Sequence, residues 1–211
     1  GTTTGASNVA IGSSALRTNT TGLENTAIGL NALYSNTSAN YNTAVGYVAM
    51  QDNTTGTQNV AVGRNTLANN TTGDYNTGSG YSALSEVTTG AQNTGFGRLA
   101  GSGLTTGQNN TFIGYFARPS SISQTNANVI GHSVVGAAGY TTIGVSTSDI
   151  RAGNGTATWA AVSDERYKKD IEHSTVGLNF VNDLQPRTFN YRNKGDLPTT
   201  FRAYEKDSDT P

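Results

Sequence analysis

The chain has 211 residues, 13 Lys and Arg against 14 Asp and Glu, two His and no Cys, for a net charge of −1. Near-neutral charge without a basic block argues against a nucleic-acid partner. The absence of Cys excludes disulfides and thiolate metal sites, and His132 and His173 stand too far apart to be a metal pair. No cofactor or metal is expected. No apolar run approaches the ~20 residues that span a bilayer, so no membrane insertion is expected. The opening "GTTTGASNVAIG" lacks signal-peptide regions and reads as the middle of a repeat, as if the chain began inside a longer protein.

The first predicted element is that repeat. Asn8, Asn25, Asn42, Asn59, Asn76, Asn93 and Asn110 fall 17 residues apart. Gly12, Gly29, Gly46, Gly63, Gly80, Gly97, Gly114 and Gly131 keep the same step. Leu16, Leu33, Met50, Leu67 and Leu84 follow in phase, and "TTG" separates many copies. The consensus is T-T-G-x-x-N-T-A-[IV]-G-x-x-A-L-x-x-N. Fixed-period self-similarity marks stacked repeats. A unit this short with two glycines has no room for a helical hairpin, but it accommodates two short strands and two turns, one coil of a parallel β-solenoid. Eight coils at about 4.8 Å would make a rod of roughly 40 Å.

The strand places Val9, Thr26, Thr43 and Val60 with Ile11, Ile28, Val45 and Val62 on one face, and Asn, Ala and Gly on the other. The β-branched face is expected inside the coil, where such residues pack well. Neither face is charged, which suggests burial on both and therefore a homo-oligomer. The Asn ladder reads as structural, its amides satisfying one another and the turn backbone. Tyr34, Tyr41, Tyr47, Tyr75, Tyr81 and Tyr115 occupy variable positions; they would form either a glycan- or receptor-contacting surface or packing between chains. Acidic residues lie at scattered phases, so a calcium roll or a carboxylate pair for glycan hydrolysis is not evident. An ice-binding Thr array is equally doubtful, since adjacent Thr residues in "TTG" point to opposite sides.

The units "NTAIG…AL" and "NTAVG…AM" resemble the head repeats of YadA-type trimeric adhesins. The resemblance covers about residues 1–145 and implies a left-handed β-roll, three chains side by side and a surface-binding role. Those heads usually have a shorter repeat, and similar longer ones occur in phage fibre proteins. A YadA-like bacterial surface adhesin is the alternative reading, and it would call for a coiled-coil stalk that residues 163–211 do not show.

The repeat decays after Gly114, and "TTIG" ends at Gly144, only 13 residues after Gly131. Residues 146–162 read as a connector with a short hairpin near Gly153–Asn154–Gly155. At Ser163 charge becomes dense. "SDERYKKDIE" reads as a capped helix start, "VGLNFVNDL" as a second helical segment stopped by Pro186, and "RTFNYR" as a strand. Residues 163–211 are thus expected to be the beginning of a small α+β domain.

"SDERYKKDI" resembles the S-D-x-R-x-K-x-x-I start of the intramolecular chaperone of phage tail fibres and tailspikes, peptidase family S74. Ser163, Asp164, Arg166, Lys168 and Ile171 match; Tyr167 stands where leucine is usual. The resemblance implies a chaperone that assists trimerisation and then cuts itself off at the bond preceding the motif serine. Here that bond is Val162–Ser163, with Ser163 as nucleophile, Lys168 as base, and Asp164 and Arg166 in support. A serine hydroxyl needs a neighbour to take its proton. Lysine serves only when burial lowers its pKa. Only 49 residues run from Ser163 to Pro211 (211 − 163 + 1), fewer than the family's domain, so an incomplete chaperone and an uncut chain are expected. The implied partners are the chain itself, as a homotrimer, and a host cell-surface receptor, a glycan or outer-surface protein. The implied location is the virion, after assembly in the host cytoplasm.

Overall fold

A computed structural model describes residues 4–155 and 160–161. Its architecture is mainly β, a parallel β-solenoid of about eight turns, with no helix among the described residues. Strands β1 (Val9–Ile11), β2 (Thr26–Ile28), β3 (Thr43–Val45) and β4 (Val60–Val62) are three residues each. They continue as β5 (Thr77–Ser79), β6 (Thr94–Phe96) and β7 (Thr111–Ile113). Each pairs in parallel with the next at the 17-residue step, as in Thr26↔Thr43, Ala27↔Ala44 and Ile28↔Val45. Like therefore stacks on like along the axis.

The remainder of each coil is built of turns; the second strand expected from the sequence is absent from most coils. It appears only where β8 (Arg118–Pro119) pairs with β10 (Val135–Gly136). The reason is conformational. Leu33, Met50, Leu67 and Leu84 sit in the left-handed region, at φ of 49°, 47°, 49° and 51°, and bend the chain where a strand would run straight. The turns still bond from coil to coil, as in Leu33 N–H to Ala49 C=O at 3.1 Å and Ser35 N–H to Gln51 C=O at 2.9 Å. These bonds offset the cost of a left-handed non-glycine residue.

The interior reverses the expected facing. Ala27, Ala44 and Ala61 are fully buried with the Leu33, Met50, Leu67 and Leu84 series. The Val/Thr and Ile/Val positions point outward: Ile11 is 58% exposed, whereas Ala61 is 0%. The leucine explains this. It reaches the coil centre from the following turn and fills the space opposite the small alanine, leaving no volume for a β-branched layer.

One coil shows the rule by exchange. The leucine series continues to Gly101, while the alanine series passes through Gly78 and Gly95 to Phe112. Phe112 is fully buried, and its ring lies 3.1 Å from where a Gly101 Cβ would stand. The missing leucine is replaced by a ring from the opposite wall.

The parallel stack continues through β9 (Asn128–His132) to β11 (Tyr140–Val145), paired Ile130↔Ile143 and Gly131↔Gly144. The 13-residue spacing therefore shortens the turn and preserves the strand register. The chain then reverses at Ser146–Thr147 into β12 (Ser148–Gly153), antiparallel to β11 with Ile143↔Ile150. Ser146 at φ 56° supplies the left-handed residue a two-residue hairpin needs. Residues 148–153 of the expected connector are thus a strand of the sheet. Gly153 ends β12, and Asn154–Gly155 follow it before β13 (Ala160–Ala161), which pairs antiparallel with β12.

Candidate functional site

Three groups of residues carry functional interest: the internal ladders, the outward face, and the charged cluster at Ser163. The Asn ladder lies inside the coil. Asn25, Asn42, Asn59, Asn76 and Asn93 are fully buried. Asn59 shows the pattern. Its backbone N–H donates to Asn42 Oδ1 at 2.9 Å, its Nδ2 donates to Gly73 C=O at 2.8 Å, and its Oδ1 accepts from the Asn76 backbone N–H at 2.8 Å. Each amide thus joins its own coil to its neighbours, and none is exposed to a ligand. At the end of the ladder Asn110 Oδ1 accepts from the Ala127 backbone N–H at 3.1 Å.

A second ladder, half-buried Asn19 and fully buried Asn36, Asn53 and Asn70, stands at the last consensus position. Asn53 Nδ2 donates to Asn36 Oδ1 at 3.2 Å and to Gly56 C=O at 2.9 Å, and Asn70 Nδ2 donates to Asn53 Oδ1 at 2.8 Å. Its next member is Val87, which has nothing to donate, and Asn70 Oδ1 is buried without a partner. Sequence reasoning placed this Asn in the consensus without recognising a second buried ladder; its repetition at the same step was the available signal.

The Gly ladder, Gly29, Gly46, Gly63, Gly80 and Gly97, packs each glycine against the backbone of the next coil. Gly63 has φ +132°, and a Cβ there would stand 2.5 Å from the Gly80 carbonyl oxygen. Any side chain would strike the adjacent coil.

The outward face is the structure's candidate interaction surface. Val9, Ile11, Val60, Val62, Phe96 and Ile113 form an exposed apolar ridge along the solenoid, with Thr at alternate places. An exposed apolar stripe of this kind is a candidate for interaction, here interrupted by Ser79 between Val62 and Phe96. The tyrosines divide. Tyr41 and Tyr75 stand at left-handed corners before the Asn, and Tyr47, Tyr81 and Tyr115 directly follow the Gly.

Val162, Ser163, Asp164, Arg166 and Lys168 of the charged cluster lie outside the described residues, and only a comparison with known families bears on this segment. Residues 163–204 match the peptidase S74 family, described as the chaperone of endosialidase. The S74 match begins at Ser163 itself and covers 42 residues (204 − 163 + 1), leaving the solenoid outside it. A β-solenoid of 17-residue repeats followed by an S74 segment fits a tail fibre with a C-terminal chaperone. No curated protein and no solved structure matches the chain.

Proposed function

We propose that this chain is a segment of a homotrimeric phage tail fibre whose C-terminal S74 chaperone drives trimerisation and is then released by autoproteolysis between Val162 and Ser163. The observation that carries the reading is the S74 match beginning at Ser163, directly after the sheet that ends the solenoid. The apolar ridge supports the trimer. A coil that hides its alanines and displays Ile11 and Phe96 is stabilised when copies cover that stripe. In this reading the finished fibre sits on the virion, is assembled in the host cytoplasm, and attaches to a host-surface receptor.

The cleavage chemistry balances with the chain's own residues. Lys168 Nζ, neutral, takes the Ser163 hydroxyl proton, and Ser163 Oγ attacks the Val162 carbonyl carbon. The Val162–Ser163 C–N bond breaks, the proton passes to the departing Ser163 nitrogen, and an ester joins Val162 to Oγ. Water hydrolyses the ester, releasing the Val162 carboxylate and restoring the serine hydroxyl. The site turns over once.

Mass spectrometry of the full-length expressed protein tests the cut. The wild type is expected to yield a fragment ending at Val162, and Ser163→Ala and Lys168→Met to remain whole. A wild type as intact as Ser163→Ala would refute autoproteolysis. Adsorption of the purified fibre to bacterial cells tests attachment separately.

A further inference from the structure

The position directly after the repeated glycine carries Tyr47, Arg64, Tyr81, Arg98, Tyr115 and His132 in successive coils. In-register stacking turns this alternation into one continuous column. The Arg64 guanidinium carbon lies 5.3 Å from the Tyr47 ring centre and 5.5 Å from that of Tyr81. Arg98 lies 5.6 Å from Tyr81 and 5.2 Å from Tyr115. His132 closes the column, stacked on Tyr115 at 5.0 Å and 25°. All six are exposed.

The stacking dictates what the column offers. Guanidinium groups cover both faces of Tyr81, so the ring is presented to solvent by its edge and hydroxyl, not by its face. Each arginine is held between two rings, which reduces the entropy it loses on binding. Among the described residues neither the Arg64 nor the Arg98 guanidinium makes a hydrogen bond or an ion pair, although both backbone carbonyls accept from the next coil. The outward surface is therefore a straight comb of hydroxyls and guanidinium donors, its cations two coils, roughly 10 Å, apart.

We propose that this comb binds a linear acidic glycan with a carboxylate on every second sugar, running parallel to the solenoid axis. Two extended sugars span about the distance between the arginines. Each guanidinium then takes a carboxylate through paired N–H donors, and the tyrosine hydroxyls meet the hydroxyls of the intervening sugar. Single-stranded nucleic acid fits poorly, because its closely spaced phosphates need a denser basic row than two arginines. A second copy of the chain also fits poorly: burying two arginines without a carboxylate partner is costly. The proposal rests on the attachment reading, whose receptor class it names, and uses nothing of the cleavage reading.

The test is titration of the full chain with hyaluronan and polygalacturonate oligosaccharides, their neutral methyl esters, and an oligothymidylate. The expected result is binding of hyaluronan that weakens at high salt, vanishes with the ester, and falls at least tenfold for each of Arg64→Gln and Arg98→Gln. Failure of both acidic glycans to bind, undiminished binding of the ester or by the variants, or preferred binding of the oligothymidylate would overturn it. So would a shift of oligomeric state in the double variant, which would make the comb an interface between copies. Equal adsorption of wild type and double variant to bacterial cells would overturn the comb and leave attachment standing. Hyaluronan binding by a wild type that adsorbs to no cell would support the comb and count against attachment.

Discussion

Gly63 and Gly103 both have positive φ, but only one has a neighbour within reach. A Gly63 Cβ would meet the Gly80 carbonyl oxygen at 2.5 Å and its carbon at 2.8 Å, whereas nothing lies within 4 Å of a Gly103 Cβ. Gly63→Ala is expected to cost the backbone strain of roughly 1–3 kcal/mol plus the displacement of a whole coil. Gly103→Ala should show the strain alone. Thermal unfolding at equal protein concentration separates the two. The buried amides offer a second comparison. Asn53 makes three side-chain hydrogen bonds to Asn36, Gly56 and Asn70, whereas Asn70 makes two and leaves Oδ1 unpaired. Asn53→Ala should therefore destabilise more than Asn70→Ala, by about 1 kcal/mol in denaturant titration. Equal losses would mean that the ladder is not cooperative in this sense.

At the scale of the coil, packing is a matter of paired positions. Phe112 occupies the volume that Leu33, Met50, Leu67 and Leu84 fill elsewhere, because Gly101 contributes no side chain. Phe112→Ala is expected to cost about 3–5 kcal/mol. Adding Gly101→Leu restores the pattern of the earlier coils and should recover much of the loss, a coupling that a double-mutant cycle measures directly. The same coil geometry determines what the outward face can do. Val62→Asp with Ile113→Asp replaces two exposed apolar residues by charges. The coil interior is untouched, so the chain should fold but sediment as a monomer where the wild type sediments as a trimer. A monomeric wild type would remove the trimer.

Over the whole molecule, the solenoid and the S74 segment have different physical characters and, in the proposed reading, different fates. The coils are joined by hydrogen bonds through both strand and turn, with amide ladders running along the interior. Such a stack gains stability from each added neighbour. The antiparallel β12 and β13 then end the parallel run, covering an edge that would otherwise invite further pairing. In that reading an assembly aid serves while three such chains find one register and is dispensable afterwards. Cleavage at Val162–Ser163 should accordingly leave the trimer's melting temperature high. Unfolding of the trimer soon after release would contradict the division of labour.

Much was legible without coordinates, for physical reasons. A parallel stack repeats its environment at a fixed step, so the 17-residue recurrence of Asn25, Asn42 and Asn59, and of Gly29, Gly46 and Gly63, is itself a record of register. The S-D-x-R-x-K spacing at Ser163 was local and needed no fold. Which face of the strand turns inward was not legible. Alternation separates Ala27 from Thr26 and Ile28, but it does not say which side meets the core. The tertiary structure decided it when Leu33, arriving from the following turn, filled the interior and left room only for alanine. The Arg–Tyr comb has the same origin: the sequence offers Tyr47 and Tyr81 as surface candidates but gives no sign of Arg64 between them, and the three become one surface only because the coils stack them face to face.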